Sequence, residues 1–238
     1  MMRTSVDAQR TDQTLSQEGP HGQIRKPIAI TMGDPAGIGP EIILRALARA
    51  PEMGLEGPFV VYGCPGWMEA VARRLGLNTG FLEVVPVTKV PEDLPVGQVS
   101  AAGGEAAFQA VYRAAQDAMA GKVRAVVTAP LSKAAMNLAG HVYPGHTEIL
   151  AEVGGNVPVR MMLANEELRT VLVSIHVPLR EAVSSLSTAG IVETIRLTDA
   201  FLHMTGIQAP RIAVAGINPH AGEDGLLGDE EIRVIGPA

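Results

Sequence analysis

Pro27-Ile-Ala-Ile-Thr-Met32 runs into Gly33-Asp-Pro-Ala-Gly-Ile-Gly-Pro40, and an apolar-periodic stretch from Glu41 to about Ala50 follows. The first six residues read as a buried strand, the glycine-rich stretch as a turn and the last as a helix. Pro40 falls in the first turn of that helix, where a missing N–H does no harm. The same succession recurs downstream. Phe59 to Tyr62 reads as a second strand, stopped by Gly63, and Trp67 to Leu75 as an amphipathic helix. Leu82 to Val87 reads as a strand, and Pro91 to Gly97 as a loop. From Gly104 to Ala120 the spacing is helical, with Ala106, Ala107, Ala110, Val111, Ala114 and Ala118 facing inward. Val123 to Thr128 is a further buried strand. Strands alternating with helices predict an α/β protein whose mostly parallel sheet is covered on both faces.

The rest of the chain is read the same way. Ala129-Pro-Leu-Ser-Lys133 opens another helix, and Pro144-Gly-His-Thr-Glu148 precedes one that contains Ile149, Leu150 and Val153. Arg160 to Leu163 and Leu168 to Ile175 predict a hairpin joined by Asn165-Glu166-Glu167. Thr188 to Thr205 predicts a long helix, Arg211 to Ile217 a last strand, and Gly222 to Gly228 a loop. Asp229 to Ala238 reads as the opening of an acidic-capped helix. Residues 1–26 are polar and rich in Gln, Ser, Thr and Asp, and are expected to form a disordered tail. The α/β region is expected over 27–238.

Composition narrows the function classes. The 238 residues are 47% apolar, 18% charged and 3% aromatic, so the core must be built from aliphatic side chains. The net charge is −6, with no basic block or aromatic-interleaved basic stripe, which argues against a nucleic-acid partner. No apolar run approaches the ~20 residues of a membrane helix, and the tail lacks the apolar segment of a signal peptide. A lone Cys64 excludes an internal disulfide framework and suits a reducing, cytoplasmic setting; it reads as a packing residue.

Candidate chemistry gathers at the ends of the apolar runs. The Gly33–Pro40 turn is either an anion-binding strand–helix turn or simply a tight turn; it matches neither the dinucleotide nor the P-loop spacing. Lys133 could hold a phosphate or carboxylate, though surface lysines are commonly just solvated. His146 and Thr147, at a helix start, could bind an anion together with free backbone N–H groups; Thr147 could equally be an N-cap. His176 and His220 each follow an apolar β-type run and lie in Pro/Gly-rich turns. Two imidazoles could share a divalent metal, but a catalytic site needs a third ligand, and no H-x-x-x-H or C-x-x-C pair supplies one. Glu223, Asp224 and Asp229 are near in sequence and read either as ligands or as a solvated acidic loop. His141 reads as a loop residue, and His203, within a helical stretch, as structural or solvent-facing.

Taken together, five segments resemble the 4-phosphohydroxythreonine dehydrogenase family: Ile30–Glu41, Thr128–Lys133, Tyr143–Glu148, His176–Arg180 and Gly216–Glu223. Met32-Gly-Asp, Tyr143-Pro-Gly-His and Gly225-Leu-Leu-Gly-Asp-Glu-Glu look closer to the branch acting on 4-phospho-D-threonate and 4-phospho-D-erythronate. The resemblance implies a fold similar to isocitrate and isopropylmalate dehydrogenases, with two α/β domains around a cleft, and a homodimer with a shared active site. It implies that His176 and His220 bind a divalent metal (Zn²⁺, Mg²⁺ or Co²⁺), that His146 and Thr147 contact substrate, and that NAD or NADP accepts a hydride. Family members continue past the position of Ala238. Resemblance places there a third metal histidine, further substrate residues and much of the nucleotide site, so the chain is expected to lack the C-terminal part of the fold.

The implied reaction is metal-dependent oxidative decarboxylation of a phosphorylated hydroxy acid. 4-Phosphohydroxy-L-threonine would give 3-amino-2-oxopropyl phosphate, as in pyridoxine phosphate synthesis. 4-Phospho-D-threonate or -erythronate would give dihydroxyacetone phosphate. An aromatic cis-dihydrodiol dehydrogenase on the same scaffold, or an inactive remnant of the family, are the competing expectations.

Overall fold

The computed structural model describes residues 17–18 and 24–238. Most of the tail expected over 1–26 lies outside the described residues. Within it, β1 (Gln17–Glu18) pairs antiparallel with β2 (Ile24–Arg25). The chain divides into two compact units, Met1–Val157 and Pro158–Ala238.

The first unit is built on a four-stranded parallel sheet. Its strands are β3 (Ile28–Thr31), β4 (Phe59–Gly63), β5 (Val84–Pro86) and β6 (Ala125–Thr128), in spatial order β5-β4-β3-β6. Successive side chains of a strand face opposite ways, and the two faces have separate cores. Ala29, Val60 and Tyr62 pack against Ala110 and Ala114 of α3 (Ala101–Met119). On the other face Met32 and Val61 meet Ile43, Leu44 and Leu47 of α1 (Gly39–Arg49) and Trp67, Met68 and Val71 of α2 (Pro65–Leu75). The inward face expected for α3 is buried as read, with Ala118 only half-buried.

The register decides where a site can form. Thr31 of β3 pairs with Tyr62 of β4 and with Thr128 of β6, so three strands end in one row. The chain leaves β3 toward β4 and β5 on one side and returns to β6 on the other. The edge between β3 and β6 is therefore the switch point at which open α/β sheets gather ligands. Two glycines let the backbones meet there. A Cβ on Gly33 (φ +71°) would lie 2.4 Å from the Pro130 carbonyl oxygen, and one on Gly39 2.4 Å from that of Met32.

Two further helices among the described residues of this unit are α4 (Lys133–Leu138) and α5 (His146–Val153). Both pack on α3 through Phe108, Val111, Met136 and Ile149. Ser100 caps α3 through the Gly103 N–H at 3.1 Å, and Ser132 caps α4 through the Ala135 N–H at 3.2 Å.

In the second unit, β7 (Met162–Ala164) and β8 (Arg169–Val171) form the expected hairpin, shorter than the sequence suggests. Asn165 Oδ1 accepts from the N–H groups of Glu167 and Leu168, fixing the turn at the expected place. Helix α6 (Leu179–Ser184) was not foreseen; α7 (Thr188–Met204) was. Arg160 ties the segment before β7 to α7, donating to Thr194 Oγ1 at 2.7 Å and to Glu193 Oε2 at 2.6 Å.

The strand expected over Arg211 to Ile217 is corrected. Those residues make no ladder with any described strand, and Ile212, Val214 and Ile217 are exposed. An apolar run becomes a strand only when a neighbour takes up its N–H and C=O groups. The expected helix after Asp229 is a single wide turn over Glu231–Ile235.

Candidate active site

The carboxyl edge of the sheet places the His146–Thr147 pair. Ala129, directly after β6, is buried, and the His146 ring lies against its backbone. His146 Nε2 is also buried and has no partner. Burial holds the imidazole below its ordinary pKa, opposed by the neighbouring Ala129 backbone. The ring is therefore neutral at pH 7. A neutral imidazole has one acceptor nitrogen, and an unpartnered Nε2 in that role suits a hydroxyl or ammonium donor.

The rest of the turn adds to this. No side chain caps α5, because Gly145 precedes it, so the first-turn N–H groups are open to an anion. Thr147 is half-buried in that turn. Glu148 Oε2 is a second buried atom without a partner. A Cβ on Gly145 would lie 3.7 Å from Glu148 Oε2 and 3.9 Å from Lys133 Cε, so those side chains flank the glycine. Lys133 itself is exposed. Sequence reasoning missed Glu148, since an acidic residue in a first helical turn is ordinary.

The Gly33–Pro40 turn is tied to the same edge. The Asp34 N–H donates to the Pro130 carbonyl at 3.1 Å, while its buried carboxylate accepts from the Ala36 N–H at 2.9 Å. Trp67 Nε1 donates to the Pro35 carbonyl at 3.0 Å. The aspartate is spent on holding the turn, and a glycine at 33 is required by the left-handed backbone.

His176 and His220 belong to the second unit, and both are exposed. Neither ends a hydrogen-bonded strand, which corrects the expectation. His176 stands five positions past Val171 with φ +56°; His220 has φ +51° and starts a left-handed run through Asp224. Such a run of L-residues is strained and needs an external hold. Glu231 provides it. Its Oε1 accepts from the N–H groups of Ile217 and Asn218, both at 2.8 Å, and its Oε2 accepts from Asn218 Nδ2 at 2.8 Å. These bonds hold the Glu231 carboxyl down at about 2. Nothing in the sequence marked Glu231 as the keeper of the His220 turn, because the two are eleven positions apart in an acidic stretch.

Two imidazoles are suitable donors for a borderline divalent cation. Among the described residues, however, no three His, Cys, Asp or Glu side chains are gathered as a metal site. The donor chemistry fits and the ligand count does not. His203 is exposed beside Asp199 on α7, the solvent-facing of its two readings. No helix among the described residues is long and apolar enough to cross a membrane.

Comparison with known proteins agrees with this geometry. Residues 41–238 match the family described as "Pyridoxal phosphate biosynthetic protein PdxA". A 4-hydroxythreonine-4-phosphate dehydrogenase of Beijerinckia indica is 46% identical over 89% of this chain, which spans 66% of that protein. A D-threonate 4-phosphate dehydrogenase of Salmonella typhimurium is 45% identical over 90% of this chain, which spans 70% of it. The crystal structure of 4-hydroxythreonine-4-phosphate dehydrogenase from Klebsiella pneumoniae superposes with a TM-score of 0.80 at 40% identity, covering 90% of this chain and 69% of that one. The parallel α/β sheet, the motifs on its carboxyl edge and these likenesses lead to one conclusion: the chain belongs to the PdxA family.

Proposed function

We propose that the protein oxidises and decarboxylates a 4-phosphorylated, four-carbon hydroxy acid with NAD⁺ or NADP⁺ as hydride acceptor. The observation that carries this is the near-equal likeness to two named activities. The names of both relatives share a threonine-derived carbon skeleton bearing a 4-phosphate, and they differ at C2, amino in one and hydroxyl in the other.

In this reading the chain's own residues bind and orient. The open N–H groups of α5 and the Thr147 hydroxyl take an anionic or hydroxyl group of the substrate. Neutral His146 accepts a hydrogen bond from a substrate hydroxyl or ammonium through Nε2. The C3–H leaves as hydride to the nicotinamide and the C3 hydroxyl gives up its proton, leaving a β-keto acid. Loss of CO₂ follows, and a proton added to the resulting enolate gives the phosphorylated ketone. His176 and His220 are proposed as two ligands of a divalent metal, which when bound lowers the pKa of an alcohol and polarises a carbonyl. The same reading makes the enzyme a cytoplasmic homodimer of isocitrate dehydrogenase-like architecture.

The test is nicotinamide reduction with 4-phospho-D-threonate and with 4-phosphohydroxy-L-threonine, each with added Zn²⁺, Mg²⁺ or Co²⁺. Turnover of either, lost in His176→Ala and His220→Ala, is the expected result. Turnover only of an unphosphorylated diol acid would instead point to a dihydrodiol dehydrogenase.

A further inference from the structure

The loop from Ala139 to Gly145 joins α4 to α5 and delivers His146 to the sheet edge. It is attached to α3 at two points. His141 Nε2 lies 2.6 Å from Glu105 Oε2, and the His141 ring is stacked on Phe108 with centroids 3.7 Å apart and planes 12° apart. Tyr143 stacks on the same phenylalanine at 5.7 Å, and its hydroxyl donates to Glu152 of α5 at 2.7 Å. Gln109 donates to the other oxygen of Glu105 at 2.8 Å, so both carboxylate oxygens are held. Glu105 and Phe108 stand on the helix whose Ala110 and Ala114 are fixed in the core of the sheet.

We propose that His141, together with Glu105, is a positioning residue for the His146–Thr147 site. The stack fixes the plane of the imidazole, and the bond to Glu105 fixes its rotation within that plane. A loop held in both senses has little freedom left, because only three residue steps, roughly 10 Å of chain, separate Tyr143 from His146. A packing role alone would require the ring and not its nitrogen. This inference rests on the reading that His146 and Thr147 bind substrate.

The experiment compares His141→Ala, His141→Gln and Glu105→Gln in the otherwise unaltered protein. Amide hydrogen exchange is followed over residues 139–147, and kcat and KM are measured with the phosphorylated acid that the wild type uses. His141→Ala is expected to speed exchange in that segment by about tenfold while α3 stays protected. It is expected to raise KM about tenfold with little change in kcat, the sign of lost uniform binding. His141→Gln can still donate to Glu105 and should recover most of the KM; Glu105→Gln should behave as a milder His141→Ala. Unchanged exchange, or unchanged KM in a folded His141→Ala protein, would overturn the proposal. If His141→Ala does not fold, Glu105→Gln decides by the same two readouts. A wild type that turns over neither acid defeats the substrate reading instead, and exchange alone then decides whether His141 holds the loop.

Discussion

The His146 ring sits against the backbone of Ala129, the first residue past β6, and its Nε2 is buried with no partner. The ring lies at the sheet edge, and Nε2 is free to meet a ligand. A buried polar atom without a partner costs about 1–3 kcal/mol, a cost that a bound hydroxyl or ammonium would offset.

The His146 imidazole should therefore remain neutral in the protein through the range near 6.5 where a free imidazole titrates. Because its folded pKa is depressed, its contribution to stability is present above the unfolded value and is lost as pH falls through the folded one. NMR titration of the ring carbons checks this. A His146 that protonates at or above the free-imidazole value contradicts it.

A second prediction concerns the face of the sheet covered by α3. The Tyr62 hydroxyl donates to Asp117 Oδ2 at 3.0 Å, joined by Arg113 at 3.1 Å and Lys122 at 3.3 Å. Burial works to raise the Asp117 carboxyl, but the bonds from Arg113, Tyr62 and Lys122 outweigh it and hold it below the usual carboxylate range. Burial and the neighbouring Asp117 push the Tyr62 phenol up. Tyr62→Phe should cost about 1–2 kcal/mol by urea unfolding at pH 7. The difference should shrink as the pH falls through the depressed Asp117 pKa, since the stability from this carboxylate is present above its unfolded value and is lost below the folded one.

The third prediction tests packing. A Cβ on Gly104 would lie 2.0 Å from the Ala135 carbonyl oxygen and 2.1 Å from its carbon. Backbone cannot yield as a flexible side chain does, so Gly104→Ala should destabilise by about 3 kcal/mol through separation of α3 from α4. Thermal unfolding monitored by circular dichroism checks this; a loss under about 0.5 kcal/mol would mean that the two helices separate freely.

Glu231 gives the fourth. Glu231→Ala removes the acceptor for two backbone N–H groups and one amide of the His220 turn. Amide exchange over residues 217–224 should rise while α7 stays protected. In the Glu231→Gln protein the turn should be only partly held, since one oxygen is replaced by a donor. Titrating the wild type toward pH 2 should release the turn as well, because the stability from this carboxylate is present above its unfolded pKa and lost as pH falls through about 2.

The legible part of the fold was local. β3, the Gly33–Pro40 turn and α1 are written in a contiguous stretch, with Pro40 and Ile43, Leu44 and Leu47 marking the helix start and its buried face. The sequence singles out His146 and Thr147 because a His and a Thr at a helix start can hold an anion together with free backbone N–H groups, and α5 does begin at His146. The rest depends on contacts distant in sequence. Arg211 to Ile217 has the composition of a strand and no ladder, and composition cannot show whether a partner is there. His141 is set by Glu105 and Phe108, 36 and 33 positions earlier, with no shared motif to announce the pairing.

The most direct test of the account is kcat/KM for 4-phospho-D-threonate against D-threonate itself, with nicotinamide reduction and release of CO₂ both measured. The account predicts CO₂ and reduced nicotinamide in equal amounts from a phosphorylated acid, and a preference over the unphosphorylated one of at least about a hundredfold, the ~3 kcal/mol expected of a bound phosphate. 4-Phosphohydroxy-L-threonine run beside it assigns the C2 group. Equal use of phosphorylated and unphosphorylated acids, or reduction without CO₂ from every phosphorylated acid, would contradict it.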